Sequence, residues 1–419
     1  MLVHVLCDIM VALSLFLPRT AGAAANDGLS ARLDQIIDDA IAGNRIVGTV
    51  VLVARDGQVV YARAAGWADR EERRPMTRDA IFRLSSLTKP VVAAAALALV
   101  QAGTLDLDTP VAHYLPDFQT RLADGRPASP TIRQLLTHTA GFTYGFFEGA
   151  DGPYHRAGVS DGLDAPGLSM EENLRRLATV PLSYAPGTGW HYSVAMDVLG
   201  AAMTTAGKAP LPELVTRLVC RPLGLADTAF AVTDRSRLTV PYADATPEPV
   251  RMAELQTVPF GDGAGIRFAP DRVFNPASFP SGGAGMVATA DDYLRFLECL
   301  RQGGGPILRP ETTAAMTSPQ TGDIPVALPG PGWAWGLGVP VVTDAAKAKM
   351  ALSTGSYAWG GVYGHSWFVD PGRRISVVIL TNTAIEGMNG RFPKALQEAI
   401  TAAIPESGRG SAPGPRHGK

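Results

Sequence analysis

The stretch Phe82-Arg83-Leu84-Ser85-Ser86-Leu87-Thr88-Lys89-Pro90 sets a serine and a lysine three residues apart, just before an apolar run from Val91 to Val100. This spacing puts Ser86 and Lys89 on one face of a helix, about one turn apart. A serine hydroxyl is a poor nucleophile and needs a neighbouring group that takes its proton. Lysine can do this where desolvation lowers its pKa toward neutrality, and the apolar run offers such a setting. The pattern predicts Ser86 as a nucleophile with Lys89 as its proton partner.

A Ser-x-x-Lys pair occurs by chance in many chains, and the alternative is an N-capping serine followed by a surface lysine. Further blocks along the chain argue against this alternative. They are Leu135-Leu136-Thr137-His138-Thr139-Ala140-Gly141, Pro186-Gly187-Thr188-Gly189-Trp190-His191-Tyr192-Ser193-Val194, Ser281-Gly282-Gly283-Ala284-Gly285-Met286 with Thr289-Ala290-Asp291-Asp292-Tyr293, and Trp359-Gly360-Gly361 before Trp367-Phe368-Val369-Asp370-Pro371.

With these blocks, the stretch from about Leu33 to Ile404 resembles the serine β-lactamases and penicillin-binding proteins, which carry Ser-x-x-Lys. Within that group it looks most like the family VIII carboxylesterases, enzymes with a class C β-lactamase fold that hydrolyse esters. The resemblance implies an α/β fold in which an antiparallel sheet is flanked by helices from both termini. A mostly helical lobe is inserted, and the site lies in the cleft between the lobes.

The distribution of sheet-forming sequence agrees with that architecture. One predicted strand pair flanks the turn Asp56-Gly57, and another flanks Pro371-Gly372 near the end of the chain. Helical segments and long Gly/Pro loops lie between them. We therefore expect an α/β lobe from residues 26–83 plus 290–405 and a helical lobe from residues 84–289.

The N-terminal 25 residues resemble a secretory signal peptide. Ile9 to Leu17 form a short apolar core, too short to span a bilayer, and Ala21-Gly22-Ala23 or Ala23-Ala24-Ala25 offers a small-residue cleavage site. This predicts export to the periplasm or the medium, without stable membrane insertion. The lack of Lys or Arg before the apolar core, and Asp8 at its edge, favour the alternative of a cytoplasmic protein.

Composition is that of an ordinary globular protein, with 46% hydrophobic residues, 18% charged residues and a formal net charge of −2. No basic run points to nucleic acid or to an anionic membrane surface. Cys7 is expected to leave with the signal peptide, and Cys220 and Cys299 are expected to be thiols rather than a disulfide. Residues 406–419 have the composition of a solvated tail. The oligomeric state is left open.

Tyr192 is the third predicted catalytic residue. In the resembling family, the tyrosine of this block lies within hydrogen-bond reach of the nucleophile and the lysine. A tyrosinate stabilised by a nearby ammonium is a strong base, so either Lys89 or Tyr192 can take the serine proton, and the two can titrate jointly. The alternative for Tyr192 is a core aromatic beside Trp190.

The resemblance also implies an oxyanion hole made by the backbone N–H groups of Ser86 and Val362. Such a hole stabilises the negative charge of the tetrahedral intermediate. Gly360 and Gly361 would let their strand approach the nucleophile closely. The alternative is that these glycines only mark a strand bulge.

Two departures from the β-lactamase pattern bear on the substrate. Val194 stands where β-lactamases carry an asparagine that contacts the substrate amide. Trp359-Gly360-Gly361 replaces the Lys-Thr-Gly strand, whose lysine attracts a substrate carboxylate, and an indole suits a neutral apolar group instead. Both departures favour esters. Tyr144 and His191 are further candidates for the pocket wall, although Tyr144 could equally serve loop packing.

Two other patterns are set aside. Gly158-Val159-Ser160-Asp161-Gly162 matches the Gly-x-Ser-x-Gly elbow of α/β-hydrolases, but it lacks the strand before it and the helix after it. His138, His191 and His365 lack metal-ligand spacing, so no metal is predicted. No cofactor is predicted either.

The sequence thus predicts a serine hydrolase that cleaves small carboxylic esters through an acyl-Ser86 intermediate. The alternatives on the same Ser86, Lys89 and Tyr192 machinery are a β-lactamase, a D-peptidase or an acyltransferase. A rival of another class is a non-catalytic scaffold that binds peptide or cell-wall material.

Overall fold

The computed structural model describes residues 21–406, with side chains from Gly28 onward. The apolar core of the predicted signal peptide and nearly all of the predicted C-terminal tail lie outside the described residues. Within the described part, no helix is long and apolar enough to cross a bilayer.

The strands of the described chain fall into one large sheet and three short pairs. In chain order they are β1 (Gly48–Arg55), β2 (Gln58–Asp69), β3 (Arg74–Pro75), β4 (Phe82–Arg83), β5 (Tyr242–Ala243), β6 (Val250–Arg251), β7 (Gln256–Val258), β8 (Ile266–Phe268), β9 (Val287–Ala288), β10 (Trp333–Trp335), β11 (Pro340–Val342), β12 (Tyr357–Gly361), β13 (His365–Asp370) and β14 (Ile375–Thr381).

The large sheet joins the two ends of the chain, in the antiparallel order β10-β11-β12-β13-β14-β1-β2-β3. The two ends meet where β14 pairs with β1, from Thr49 opposite Thr381 to Arg55 opposite Ile375. The β1–β2 turn at Asp56 and Gly57 has φ values of 53° and 83°, as a two-residue hairpin turn requires. The predicted hairpin and the predicted antiparallel α/β fold are both confirmed.

Helices cover the sheet and fill the middle of the chain. They are α1 (Ala21–Ala42), α2 (Thr88–Gln101), α3 (Ile132–Leu136), α4 (Pro153–Ala157), α5 (Met170–Ala178), α6 (Ala195–Gly207), α7 (Leu211–Val215), α8 (Arg221–Leu223), α9 (Ala290–Arg301), α10 (Pro310–Met316), α11 (Ala345–Ala348), α12 (Ala384–Asn389) and α13 (Arg391–Ala403).

The central strands are buried on both faces, which is why they are apolar along their whole length. In β1, Val51 and Val53 face the cluster that includes α1 and α13, whereas Val50 and Leu52 face the main core. Helix α9 covers this second face against β14 and β1. The middle of the sheet is therefore shielded from solvent on both faces.

Residues 84–289 contain helices α2 to α8 together with short strand pairs. The two ends of this stretch lie side by side, because β4 pairs with β9 through Phe82 opposite Ala288 and Arg83 opposite Val287. Strand β12 of the large sheet lies beside the turn that follows β4, since Gly361 is close to Leu84 and Ser85. The start of α2 thus lies where the helical part of the chain meets the sheet.

The turn between β12 and β13 should be sensitive to an added methyl group. Gly364 has φ +112°, and a Cβ there would lie 2.1 Å from the Thr383 carbonyl oxygen. We expect Gly364→Ala to lower the free energy of unfolding by about 2–6 kcal/mol, from backbone strain and overpacking. Urea unfolding followed by circular dichroism measures this. The control Gly103→Ala, at φ +68° with nothing within 4 Å, should lose only about 1–2 kcal/mol. Equal losses in both variants would contradict the crowding argument.

Candidate active site

The predicted nucleophile, Ser86, lies in a 3-10 turn, Ser85–Leu87, that leads directly into α2. Pro90 is tolerated in the first turn of α2 because N–H groups in that turn have no intrahelical acceptor, so the N–H that proline lacks is not missed. Helix α2 is apolar on all sides because it is enclosed on all sides, with nearly every residue from Thr88 to Leu99 buried. The serine is thus held at the end of a helix that runs through the core.

The backbone just before Ser86 is strained. Ser85 has φ +44°, which a residue other than glycine adopts only where the surrounding structure enforces it. Its buried hydroxyl accepts a hydrogen bond from the Tyr363 N–H at 3.4 Å. This contact joins the turn that carries Ser86 to the β12–β13 turn.

Lys89 and Ser86 are in direct contact, as their spacing predicts. The Lys89 Nζ atom lies 3.2 Å from Ser86 Oγ and donates to the Gly283 carbonyl oxygen at 2.9 Å. The lysine side chain is 1% exposed. Burial lowers the Lys89 pKa to about 7, although the Asp197 and Asp161 carboxyl groups oppose that shift. Near neutral pH a large fraction of this amine is therefore uncharged and able to accept a proton.

The glycine-rich block at residues 281–286 packs beneath the lysine. A Cβ on Gly282 would lie 2.3 Å from the Met196 carbonyl oxygen, and one on Gly283 would lie 2.9 Å from the Tyr144 hydroxyl. The Met286 N–H donates to Thr88 Oγ1 at 3.1 Å. Small residues are needed here because backbone from this block touches both α2 and α6.

Tyr192 lies just before α6, with its ring beside the ammonium position. The Lys89 Nζ atom is 4.5 Å from the centre of the Tyr192 ring, and the Trp359 Nε1–H donates to Tyr192 Oη at 3.0 Å. Other aromatic rings surround this phenol: His138, Tyr144 and Trp335.

The pKa directions separate the roles of the two candidate bases. Burial raises the pKa of Tyr192 above its ordinary value, and the Ser86 and Trp359 side chains only partly oppose this. Tyr192 is therefore a neutral phenol in the resting site near neutral pH. The geometry and the two pKa directions favour Lys89 as the proton acceptor and Tyr192 as a hydrogen-bonding partner.

The two backbone N–H groups predicted to form the oxyanion hole both belong to residues that line one cavity. Within the described residues, neither the Ser86 N–H nor the Val362 N–H donates a hydrogen bond to the protein. A Cβ on Gly361 would lie 2.6 Å from Ser85 Oγ, and one on Gly360 would lie 2.5 Å from Met388 Cγ. Both glycines are thus required for the close approach of β12.

The cavity above Ser86 has a volume of about 380 Å³, which suits a small ligand. Aromatic and aliphatic side chains make most of its wall, and the polar side chains are few. The lining residues are Ser86, Phe146, Phe147, Tyr192, Phe260, Leu328, Pro329, Trp333, Met350, Ala358, Trp359, Gly360, Val362, Ser366, Trp367, Phe368, Met388, Asn389, Pro393, Lys394 and Gln397. A larger groove of about 810 Å³ between α5 and α6 contains none of the predicted catalytic residues.

The remaining predicted pocket residues are less directly placed. His191 is exposed and lines a neighbouring cavity of about 450 Å³, which also touches Tyr192. Tyr144 is buried and stacks on Phe146, so it lies behind the wall of the main cavity. Val194 is 1% exposed at the start of α6 and lines neither cavity, because the chain turns into the core there.

The histidines and the Gly-x-Ser-x-Gly stretch have local structural contacts. His138 Nδ1 lies 3.1 Å from Ser193 Oγ, and His365 Nε2 lies 2.7 Å from the Arg83 carbonyl oxygen. Ser160 is buried in the loop between α4 and α5, and its hydroxyl donates to Asp164 at 2.7 Å.

The described chain offers neither a metal site nor a disulfide. Across residues 21–406 no group of His, Cys, Asp and Glu side chains is arranged to hold a metal ion. Cys220 and Cys299 are free thiols, as expected.

Two features of the site were not predicted from the sequence: the Gly283 carbonyl on Lys89, and the buried Asp197 beside it. The signal for Asp197 was present, because it is the one acidic residue in the apolar stretch Ala195–Gly207. A charged residue in a buried helix needs a partner or a function.

Comparison with known proteins gives a consistent result. A family model described as Beta-lactamase matches residues 33–400. Esterase EstB of Burkholderia gladioli is 50% identical over 376 residues, which cover 89% of this chain and 95% of EstB.

Solved structures agree with this match. The structure of EstCE1, described as a hydrolase with promiscuous acyltransferase activity, superimposes with a TM-score of 0.86 at 44% identity, over 90% of this chain and all of EstCE1. Simvastatin synthase LovD of Aspergillus terreus shares the fold, with a TM-score of 0.70 at 20% identity over 89% of this chain and 98% of LovD. The resemblance inferred from the motifs is confirmed, and the chain belongs to the beta-lactamase family.

Proposed function

We propose that this protein is a serine carboxylesterase that hydrolyses small esters through an acyl-Ser86 intermediate. The observation that carries the proposal is the contact between a buried Lys89 amine and the Ser86 hydroxyl at the wall of an apolar cavity. The name of EstB and the description of EstCE1 support an ester hydrolase on this frame.

Acylation follows from the positions of three side chains. Neutral Lys89 takes the hydroxyl proton while Ser86 Oγ bonds to the ester carbonyl carbon. The negative charge that develops on the carbonyl oxygen is stabilised by the Ser86 and Val362 N–H groups. When the intermediate collapses, the alcohol leaves with a proton from the Lys89 ammonium, passed directly or through the Tyr192 phenol.

Deacylation repeats these steps with water in place of the alcohol. Lys89, neutral again, takes a proton from water as the water oxygen bonds to the acyl carbon. The bond between that carbon and Ser86 Oγ then breaks, Oγ regains the proton from Lys89, and the carboxylic acid leaves. An alcohol that replaces water would turn the same intermediate toward acyl transfer, the second activity in the description of EstCE1.

The cavity wall favours a neutral, apolar acyl group. Of its lining residues only Lys394 is cationic, and this lysine lies on the exposed side of α13. The Trp359 N–H is already bonded to Tyr192 Oη, so the indole offers the ligand its apolar surface. These features support esters over the anionic substrates of β-lactamases and D-peptidases.

Replacing the nucleophile should separate chemistry from folding. We expect Ser86→Ala to lower p-nitrophenyl butyrate turnover at least about a thousandfold, because no acyl-enzyme can form. The control Ser160→Ala removes a local hydrogen bond in the α4–α5 loop, yet it should keep the acyl adduct on Ser86. Kinetics, intact-protein mass spectrometry and thermal unfolding of each variant test this. Turnover by a folded Ser86→Ala variant would disprove the assignment.

Substrate preference should follow the apolar wall. We expect rapid p-nitrophenol release from p-nitrophenyl butyrate, and with a penicillin only a long-lived adduct on Ser86. Mass spectrometry of the protein after each incubation, beside product assays, distinguishes the two. Fast penicillin turnover with little ester turnover would show that this is an amide-cleaving enzyme.

Activity should decrease in acid as Lys89 gains a proton. Because the neutral amine is the acceptor and its pKa is about 7, kcat/KM should fall about tenfold per pH unit below that value. The rate at which a fluorophosphonate labels Ser86 should fall over the same pH range, and we call this fall the acid limb. A labelling rate that stays constant from pH 5 to pH 8 would contradict Lys89 as the base.

A further inference from the structure

Asp197 is a carboxyl group buried in α6 next to the catalytic lysine, with 2% of its surface exposed. Its Oδ1 accepts hydrogen bonds from Ser281 Oγ at 2.6 Å and from the Gly283 N–H at 3.1 Å. Its Oδ2 is buried and has no hydrogen-bond partner among the described residues. A carboxylate with an unsatisfied oxygen is costly to bury, so its presence calls for a physical reason.

One residue connects this carboxyl group to the nucleophile. Gly283 donates its N–H to Asp197 and accepts from Lys89 Nζ at its carbonyl oxygen, at 2.9 Å. Lys89 Nζ in turn lies 3.2 Å from Ser86 Oγ. Asp197 therefore fixes the peptide backbone that holds the amine against the serine.

We propose that Asp197 is a positioning residue, which holds the Gly283 carbonyl on Lys89 and compensates the ammonium charge that forms there. The charge arises when the Ser86 proton moves to the Lys89 amine, so this inference rests on the proposed function. A buried ammonium without a nearby negative charge would raise the barrier to that transfer.

Other ionisable groups face Asp197 and Lys89 from each element packed around them, and they differ in the charge that they carry near pH 7. They are Asp161 from the α4–α5 loop, Arg272 from the turn Pro270–Phe274, the phenols Tyr144 and Tyr192, and the imidazole of His138. Burial raises the pKa of Asp161 to about 8, so this group carries little charge near pH 7.

The two phenols and His138 are also neutral near pH 7, because burial raises the pKa of Tyr144 and Tyr192 and lowers that of His138. Arg272 donates to the carbonyl oxygens of Asp164 and Phe279 and is cationic.

Asp197 is thus the acidic group best placed to act on the lysine. Burial raises its own pKa, but the Ser281 hydroxyl, the Gly283 N–H and the Lys89 amine all favour its charged form. In the opposite direction, Asp197 is the leading group that keeps the Lys89 pKa from falling further. Removing the Asp197 charge should therefore lower the Lys89 pKa.

The pH dependence of Ser86 labelling by a fluorophosphonate distinguishes this role from simple packing. In Asp197→Asn, which keeps the shape of the side chain, the acid limb should move to lower pH by about one unit or more. The labelling rate above the limb should also fall, by up to about tenfold for each unit by which the Lys89 pKa drops, because Lys89 becomes a weaker base. A purely structural role would lower the melting temperature and leave the midpoint of the limb in place.

Asp161→Asn is the matched control, since it replaces the other carboxyl group near Lys89, which is half-buried. Because Asp161 carries little charge near pH 7, this variant should move the midpoint much less than Asp197→Asn does. If Asp197→Asn fails to fold, Ser281→Ala takes its place. Loss of the 2.6 Å hydrogen bond from Ser281 Oγ to Asp197 favours the protonated form of Asp197. The midpoint of the acid limb should therefore move in the same direction, but by less.

A folded Asp197→Asn with the wild-type midpoint would overturn the proposal, as would an equal shift in Asp161→Asn. An unchanged midpoint in Ser281→Ala would overturn it where Asp197→Asn does not fold. Failure of the wild-type protein to be labelled would instead refute the proposed function, so the two results are distinguishable.

Discussion

Removal of the Lys89 amine from water is the constraint on which the site depends. An exposed lysine is charged at neutral pH and cannot take a proton from serine. Here the lysine lies in the first turn of α2, whose next residues, from Val91 to Leu97, are almost completely buried. An apolar helix of this kind can exist only inside the molecule, so the position of α2 and the chemistry of Lys89 have one cause.

Holding such a helix in the core requires elements from distant parts of the chain. The β1–β14 pairing joins the two ends of the chain in the large sheet. The β4–β9 pair brings the two ends of the long middle segment together at the start of α2. The β12–β13 turn then contacts Ser85 through the Tyr363 N–H. Ser86 and Lys89, which share one segment, and the Val362 N–H are thus brought together from two regions, and loosening any one of these contacts would disturb the others.

The sequence was sufficient for the parts that depend on local geometry. Asp56-Gly57 predicts a hairpin because few other residue pairs adopt two consecutive positive φ angles. The spacing of Ser86 and Lys89 predicts their contact because residues three apart lie side by side on a helix. The contact of Lys89 with the Gly283 carbonyl joins residues 194 positions apart, so no local pattern contains it. Val194 was expected at the pocket on a motif comparison, yet burial at the start of α6 is decided by tertiary packing.

Trp359 shows how a substitution in a motif can change more than the feature first noticed. The loss of a cationic side chain predicts an apolar wall, and the indole does line the cavity. Its N–H also donates to Tyr192 Oη, which uses an acceptor position of the phenol and leaves the phenolic proton available as a donor. An indole cannot neutralise a substrate carboxylate, but it can orient a phenol. Trp359 therefore links the proposed preference for a neutral substrate to the hydrogen-bond geometry of Tyr192, and Trp359→Lys would alter both properties together.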